Sequence, residues 1–403
     1  MSISQGKFKL VRQTSRKMGK KTKKLKVKTS LTTASGGDKV SILTKELEEV
    51  SMSESALYRV ESVEGKGIGC IAVQDVKKGS IVLRESPQLL TQFCYGKITI
   101  TQENLQLTKV IIKGFMAMSR EDQEEYMKLC NKYDEDITKW SERMRLEHQS
   151  VVQAANNMTL EGISKEKATK VWAIFDTNHF PNGVCLKMSR FNHSCRPNAQ
   201  RFWNEDTDTR DLRALRKIKQ GEEITLSYSV NLGIESRERR RSELKEDFNF
   251  NCNCKACDLT EEEIKEETKV IEEFNEKWKR HEDFKKAASL ASVTAQPLLK
   301  QEAECLKKMY QLAKEIKTMD RRTFLNEIVE EAFDISCHGA ASSRFSNSMG
   351  NVEEAWMKDA NMFANIGLVI AKTLFGEDHS MTKEWKARSD DPIKFYLKEN
   401  QVI

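Results

Sequence analysis

The stretch RFNHSCRPNAQ, residues 190–200, concentrates hydrogen-bonding and metal-binding side chains in one short segment. Asparagine, serine and proline are also the residues of an ordinary surface loop. His193 and Cys195 lie two positions apart and supply at most half of a tetrahedral metal site. The segment therefore indicates either a plain loop or one part of a metal site that other residues complete.

Three more cysteines occur further along the chain in CNCKAC, residues 252–257. Cys252, Cys254 and Cys257 have a spacing typical of thiolate ligands to zinc, and free thiols in a loop are the alternative. Three thiolates need a fourth ligand to close a tetrahedral site. The other cysteines show no paired spacing, and we predict that they are small buried apolar residues: Cys70, Cys94, Cys130, Cys185, Cys305 and Cys337.

Length and composition exclude several classes of protein. A chain of 403 residues with 38% hydrophobic residues is long enough for two or three domains with cores of their own. Ten cysteines without an N-terminal apolar run favour a reducing compartment, where thiols stay free or bind metal. No stretch approaches the ~18 apolar residues that span a bilayer. We expect a nuclear or cytoplasmic protein without a membrane segment.

The formal net charge of +6 is concentrated in the N-terminal tail. Residues 1–37 contain eleven Lys and Arg and no acidic residue, whereas acidic side chains outnumber basic ones in the rest of the chain. The tail lacks apolar periodicity, which predicts disorder. The basic residues predict a nuclear-localisation segment or a nonspecific contact with polyanions. The alternative is a solvated tail without a specific partner.

Beyond the tail, the pattern predicts an α+β protein. Residues 55–90 contain short β-branched runs between glycines, typical of strands and turns. Residues 101–177 have helical spacing, including a helix after a Ser164 cap. Strand-like sequence returns between residues 183 and 229, where ITLSYS alternates, and the chain is helical from residue 259 with a break around SCHGAASSRFSNSMG.

Four motifs in this order resemble the SET domain of protein lysine methyltransferases: GKGIGC, NHSCRPN, GEEITLSY and FNFNCNCKAC. Within that superfamily, the chain is most similar to the SET-and-MYND branch. The resemblance implies a SET domain over residues 38–251 with a helical insert at about 92–177. A zinc-binding post-SET segment then covers residues 252–258. An all-helical, tetratricopeptide-like domain covers residues 259–403.

The resemblance also implies the missing zinc ligand. Cys195 is expected to join Cys252, Cys254 and Cys257 in one structural site, which ties the post-SET segment to the NHSC loop. The MYND zinc finger itself is expected to be absent. Between residues 87 and 164 the only cysteines and histidines are Cys94, Cys130 and His148.

S-adenosylmethionine is the methyl donor implied by the resemblance. Asn192 and His193 are expected to bind it, and the turn of Gly65, Lys66 and Gly67 to run along it, because glycines let a backbone approach a ligand closely. Asn178 matches a further donor-contacting asparagine, with a helix C-cap as the alternative.

Tyr228 is the expected catalytic residue, because the family places a tyrosine of this strand beside the transferred methyl. Phe248 and Phe250 match positions that line the lysine channel, and Phe250 also covers the adenine; ordinary core packing is the alternative for both. Glu222 and Glu223 are expected to hold a turn and not to act as bases.

The implied activity is methylation of a lysine on a histone or other protein. The C-terminal domain is expected to close over the cleft and to favour a basic substrate, and the protein is expected to be a monomer. The alternative is a catalytically weak SET-fold adaptor that acts through its helical domain.

Overall fold

The computed structural model describes residues 57–88, 103–133, 140, 142–156, 162–180, 183–228, 235–290, 296–316, 321–345 and 350–400. The predicted basic tail, residues 1–37, lies outside the described residues, as does Cys94. Strands and helices both occur, so the α+β prediction is confirmed.

Eight short strands occur in the part of the chain that the structure describes: β1 (Tyr58–Val63), β2 (Gly67–Ala72), β3 (Ile81–Glu85), β4 (His179–Phe180), β5 (Gly183–Val184), β6 (Ala199–Asn204), β7 (Thr209–Ala214) and β8 (Glu223–Ile224). They pair as two three-stranded sheets, β1-β2-β8 and β3-β7-β6, and as the hairpin β4-β5. Every pairing is antiparallel. The inward faces of these sheets share one core, which includes Cys70, Leu83, Phe191 and Leu212.

The turn between β1 and β2 needs its glycines. Gly65 and Gly67 have φ values of 69° and 73°, in the left-handed region that disfavours side chains. The backbone N–H of Lys66 donates to the carbonyl of Val63 over 3.0 Å and closes the turn. The hairpin therefore holds residues 65–67 at a fixed end of the sheet.

The predicted strand over ITLSYS is shorter than its alternating pattern suggests. Only Glu223 and Ile224 belong to a sheet, and Leu226 instead forms a parallel bridge with His193. The N–H of Leu226 donates to Asn192, and the N–H of Ser194 donates back to Leu226, both over 3.0 Å. The chain leaves the sheet because its backbone groups pair with the NHSC segment.

The described residues between β3 and β4 form four helices: α1 (Glu103–Ala117), α2 (Arg120–Met127), α3 (Glu142–Asn156) and α4 (Lys165–Asn178). The predicted cap of α4 is confirmed, since the side chain of Ser164 accepts from the N–H of Lys167. The apolar face of α4 is largely buried, with Trp172 half-buried and Val171 fully buried. This face packs on α1 and α2 in a separate apolar cluster.

Seven helices follow β8 in the described part of the chain: α5 (Arg237–Phe248), α6 (Glu261–Leu290), α7 (Gln296–Glu315), α8 (Arg321–Phe345), α9 (Gly350–Phe375), α10 (Ser380–Asp390) and α11 (Pro392–Glu399). Helices α6 to α11 share one apolar core. The ring centroids of Phe375 on α9 and Phe202 on β6 are 5.3 Å apart. This contact joins the helical core to the sheet β3-β7-β6. No described helix is both long enough and apolar enough to cross a bilayer.

The predicted break at SCHGAASSRFSNSMG is wrong over the first ten of its fifteen residues, because α8 continues to Phe345. Gly339 does not end the helix: a Cβ there would lie 2.4 Å from the ring of Trp356, so the missing side chain makes room for α9. The hydroxyls of Ser336 and Ser343 donate to carbonyls four residues earlier and cause no interruption.

Candidate functional site

The NHSC segment lies where the β-rich part meets the cysteine-rich segment after α5. Cys195, Cys252, Cys254 and Cys257 come together here, with all four Sγ atoms within 4.8 Å of one another. All four are buried, and none forms a disulfide. Among the described residues, this is the group with three or more suitable ligands that could hold a metal ion.

The spacing of the sulfur atoms suits a tetrahedral metal. Sγ of Cys195 lies 3.9 Å from Sγ of Cys252 and 3.6 Å from Sγ of Cys257. Four sulfurs at zinc bond lengths of about 2.3 Å would be separated by about 3.8 Å. The four cysteine residues therefore fit a closed zinc site, in which no position is left open for a reacting ligand.

Hydrogen bonds within the cluster affect its four thiols in opposite directions. They lower the pKa of Cys252 and lower that of Cys254 to about 5, whereas hydrogen bonds with neighbouring cysteines raise the pKa of Cys195 and of Cys257. The N–H of Cys195 also donates to Sγ of Cys254 over 3.4 Å. Thiolate is the form that binds metal, so binding of a metal ion here would release the protons of Cys195 and Cys257.

Arg240 on α5 supplies a buried positive charge beside the cluster. Its side chain is fully buried, and its guanidinium donates to the carbonyls of Glu235 over 2.7 Å and Ala256 over 3.0 Å. Burial alone would lower the pKa of Arg240, but the negative charges of Cys195 and Glu267 raise it. The guanidinium stays charged and offsets part of the charge of four thiolates.

His193 connects the cysteine cluster with Tyr228. The N–H of Tyr228 donates to Nδ1 of His193 over 3.1 Å, so Nδ1 is an acceptor and carries no proton. The proton of a neutral imidazole must then be on Nε2, which lies 3.3 Å from Sγ of Cys195. The imidazole therefore donates a hydrogen bond to one of the candidate metal ligands, as residues that surround a metal site commonly do.

Tyr228 lies in an aromatic pocket. Its ring centroid is 4.9 Å from that of Phe248, 5.3 Å from His193 and 6.2 Å from Phe250. The hydroxyl donates to the carbonyl of Phe191 over 3.2 Å, which leaves its oxygen lone pairs available to another group. Burial raises the pKa of Tyr228, so its hydroxyl remains protonated at neutral pH.

Helix α5 and its cap bring the two phenylalanines to this pocket. The helix ends at Asn249, which has a left-handed φ of 60°, and Phe248 and Phe250 flank this residue. The amide of Asn249 donates to the carbonyl of Lys132 in the helical insert over 3.2 Å. Both phenylalanines pack on the cysteine cluster, so the predicted channel residues and the predicted zinc ligands form one structural unit.

A polar corner lies at the turn between β1 and β2. The ammonium of Lys66 is 2.6 Å from Oε2 of Glu223, and the amide nitrogen of Asn192 donates to Oε1 of the same carboxylate over 3.0 Å. The structure thus brings two of the predicted donor-binding residues together. Glu223 joins them, although the sequence had indicated only a role in the turn.

Glu222, by contrast, does hold the turn before β8. Its carboxylate accepts from the N–H of Lys219 over 3.1 Å and from the amide of Asn198 over 3.0 Å, and it pairs with Arg216. The prediction is confirmed for Glu222. The carboxylate of Glu223 contacts Lys66 in the turn between β1 and β2, and also Asn192, which the prediction did not include.

Asn178 is the last residue of helix α4 and joins it to the segment after α2. Its amide nitrogen donates to the carbonyl of Ile174 and to that of Cys130, each over 2.7 Å. The side-chain oxygen is not used in these two bonds. The C-cap of the helix is the next residue, His179, so the C-cap alternative for Asn178 is wrong, and its contact with the methyl donor stays a prediction.

The described cysteines outside the cluster are buried, as predicted, with one exception. Cys70, Cys185, Cys305 and Cys337 are buried, whereas Cys130 is exposed. Cys130 follows α2, and its backbone carbonyl accepts from the amide of Asn178 while its side chain is exposed. The prediction for Cys130 was therefore wrong.

Comparison with known proteins finds similarity over part of the chain. Residues 67–229 match the SET domain. Histone-lysine N-methyltransferase set5 of Schizosaccharomyces pombe is 26% identical over 212 residues, which cover 53% of this chain and 54% of that protein. Histone-lysine N-methyltransferase SMYD3 of Mus musculus is 34% identical over 110 residues, covering 24% of this chain and 25% of that protein.

A solved structure is similar over most of the chain. The SET domain of LSMT bound to lysine and AdoHcy is 12% identical with a TM-score of 0.36, and the similarity covers 90% of this chain and 98% of that one. The present chain spans about half the length of set5 and a quarter of the length of SMYD3.

Proposed function

We propose that this chain, which contains a SET domain like that of the SET-and-MYND lysine methyltransferases, is an S-adenosylmethionine-dependent protein-lysine N-methyltransferase. The pocket of Tyr228 carries this proposal. It combines a protonated hydroxyl, oxygen lone pairs left available to another group and walls formed by Phe248 and Phe250. These are the properties needed to receive and orient a neutral lysine amine.

The polar corner is the proposed site for the charged end of the donor. S-adenosylmethionine, when bound, supplies a methyl group activated by a positively charged sulfur. Lys66 and Asn192 offer a cation and an amide, each within hydrogen-bonding distance of the Glu223 carboxylate, and this group suits an ammonium and carboxylate pair. The proposed donor-binding residues are Gly65, Lys66, Gly67, Asn178, Asn192, His193 and Phe250.

Tyr228 is the proposed catalytic residue. Methyl transfer is an in-line displacement, so the amine must be neutral and aimed along one axis. The apolar rings of Phe248 and Phe250 favour the neutral amine by desolvation. The oxygen of Tyr228 can accept an N–H of the amine because its own proton is held by the carbonyl of Phe191.

One structural zinc ion is proposed for the site of Cys195, Cys252, Cys254 and Cys257. Its role is to hold the segment after α5 against the NHSC loop, with no part in the reaction. Phe248 and Phe250 pack on this cluster, so the aromatic pocket depends on it. The fit rests on four buried thiols with suitable separations.

The proposed substrate is a protein with an accessible lysine in a basic context. Residues 259–403 contain 27 Asp and Glu against 22 Lys and Arg, so this helical, tetratricopeptide-like region favours a basic partner. The two named relatives are histone-lysine methyltransferases, which agrees with a basic substrate. We also propose a nuclear or cytoplasmic monomer whose basic tail contacts polyanions.

Two measurements test the proposed function in sequence. Isothermal calorimetry should show that the purified chain binds S-adenosylmethionine. A lysate treated with the chain and isotopically labelled donor should then gain label on lysine, and the label should be lost with Tyr228→Phe. Donor binding without labelling of any protein would support the adaptor alternative, and no donor binding would contradict both the site and the activity.

A further inference from the structure

The contacts of Glu223 go beyond those of a turn residue. Its two carboxylate oxygens contact two different segments, Oε2 with the ammonium of Lys66 and Oε1 with the amide of Asn192. Its side chain is 15% exposed and that of Lys66 is 28% exposed, so the contacts are partly screened from solvent. The carboxylate links the turn after β1 with the NHSC segment.

This contact fixes the orientation of the Asn192 amide. An ionised carboxylate only accepts hydrogen bonds, so Asn192 must present its NH2 group to Glu223. The side-chain oxygen of Asn192 therefore points to the other side of the amide. Among the described residues that oxygen has no hydrogen-bond partner and is free to accept one.

Gly69 provides the space for this arrangement. A Cβ at this position would lie 2.7 Å from the amide nitrogen of Asn192 and 3.1 Å from Oε1 of Glu223. Glu223 is aligned opposite Ile71 in the β2-β8 pairing, which brings its carboxylate to this end of the sheet. The backbone of β2 thus sets where Glu223 and Asn192 meet.

We infer that Glu223 is a positioning residue of the donor pocket, an inference that rests on the proposed function. It holds the Asn192 amide so that its oxygen accepts a hydrogen bond from the α-ammonium of the donor. It also restrains Lys66 beside the α-carboxylate. Glu223 acts through these two side chains and selects ligands that carry a charged amino-acid end.

The test compares two nucleosides that differ only in whether they carry the amino-acid end of the methyl donor. S-adenosylhomocysteine carries the amino acid, whereas 5′-methylthioadenosine lacks it. Calorimetry on the full chain should show that Glu223→Ala weakens binding of S-adenosylhomocysteine by about tenfold or more, as expected for loss of a charged hydrogen-bond partner. Binding of 5′-methylthioadenosine should stay within about twofold, which also shows that the variant is folded.

Two further variants make the result specific. Glu223→Gln keeps an acceptor oxygen for the amide of Asn192, so it should recover part of the lost affinity. Glu222→Gln changes the neighbouring carboxylate, which contacts neither Lys66 nor Asn192 among the described residues, and should bind both nucleosides like the parent. A Glu223→Ala chain that loses affinity for both nucleosides equally, or for neither, overturns the inference. A parent chain that binds neither nucleoside overturns the proposed function instead.

Discussion

The backbone N–H of Tyr228 donates to Nδ1 of His193 over 3.1 Å, and the opposite nitrogen of that imidazole lies 3.3 Å from Sγ of Cys195. One ring therefore joins the proposed catalytic residue to the proposed metal site. An imidazole that accepts at one nitrogen and donates at the other has a single neutral tautomer. Loss of either contact is expected to affect both sites.

His193→Leu should weaken metal binding. The substitution removes a hydrogen bond to the Cys195 thiolate, and loss of an outer hydrogen bond to a metal ligand typically costs 10–100-fold in metal affinity. Competition with a chromogenic chelator measures the zinc affinity directly. His148→Leu is the matched control, because that imidazole packs on Tyr133 and Trp140 away from the cysteines. Unchanged zinc affinity in His193→Leu would rule out the hydrogen bond to Cys195.

The purified chain should contain one zinc ion. Native mass spectrometry gives the metal content per chain, and Cys254→Ser should lower it because a hydroxyl is a poor replacement for a thiolate ligand. Cys130→Ser is the control, since Cys130 is exposed and lies outside the cluster. A parent chain with no zinc or with two zinc ions would contradict the single closed site.

Glu222 should contribute to stability in a pH-dependent way. Burial alone would raise its pKa, but hydrogen bonds from Arg216 and Asn198 outweigh burial and lower the pKa from 4.5 to about 2. A lowered pKa in the folded state adds stability above the unfolded pKa, and this is lost as the pH falls towards the folded pKa. The Tm of Glu222→Gln should therefore fall below that of the parent at pH 7.

The difference in Tm between Glu222→Gln and the parent should shrink as the pH falls from about 5 to about 3. It should be small throughout, because the carboxylate is 29% exposed and solvent screens its pairing with Arg216. Thermal unfolding followed by circular dichroism measures it. A difference that stays constant over this range would show that the charge of Glu222 contributes nothing.

Gly339→Ala should destabilise the helical region even though alanine is the better helix former. The added methyl would lie 2.4 Å from the ring of Trp356, and overpacking of this kind costs about 1–3 kcal/mol. The gain in helix propensity is about 1 kcal/mol at most, so the net effect should be a loss. Urea denaturation measures the free energy of unfolding. Combining Gly339→Ala with Trp356→Leu should be less costly than the sum of the two single changes.

The sequence predicts the elements whose determinants are local. The motifs NHSC and CNCKAC, in order with GKGIG and GEEITLSY, point to a SET domain, which the match over residues 67–229 confirms. Ser164 predicts the start of α4 because a cap acts within three residues. The grouping of four cysteines was implied by the resemblance, and the structure brings all four together.

Other features depend on contacts between distant segments. The role of Glu223 follows from the register of β8 on β2, which the motif GEE does not contain. In the sequence, Gly339 indicates a helix break, because the ring of Trp356, which it accommodates, lies on another helix. Arg240 lies in a strongly charged helix with nothing to mark it as the buried member. Contact with a different segment of the chain decides each case.

The turnover of Tyr228→Phe tests the central claim most directly. The ring should still pack against Phe248, while the oxygen that orients the amine is lost, so the turnover rate should fall much more than the donor affinity. A loss of about 2 to 4 kcal/mol in transition-state stabilisation is expected for one preorganised polar group. Tyr126→Phe, which removes another buried hydroxyl bonded to a backbone carbonyl, is the matched control and should keep the parent turnover. Methylation of an accepted protein by Tyr228→Phe at the parent rate would contradict the account.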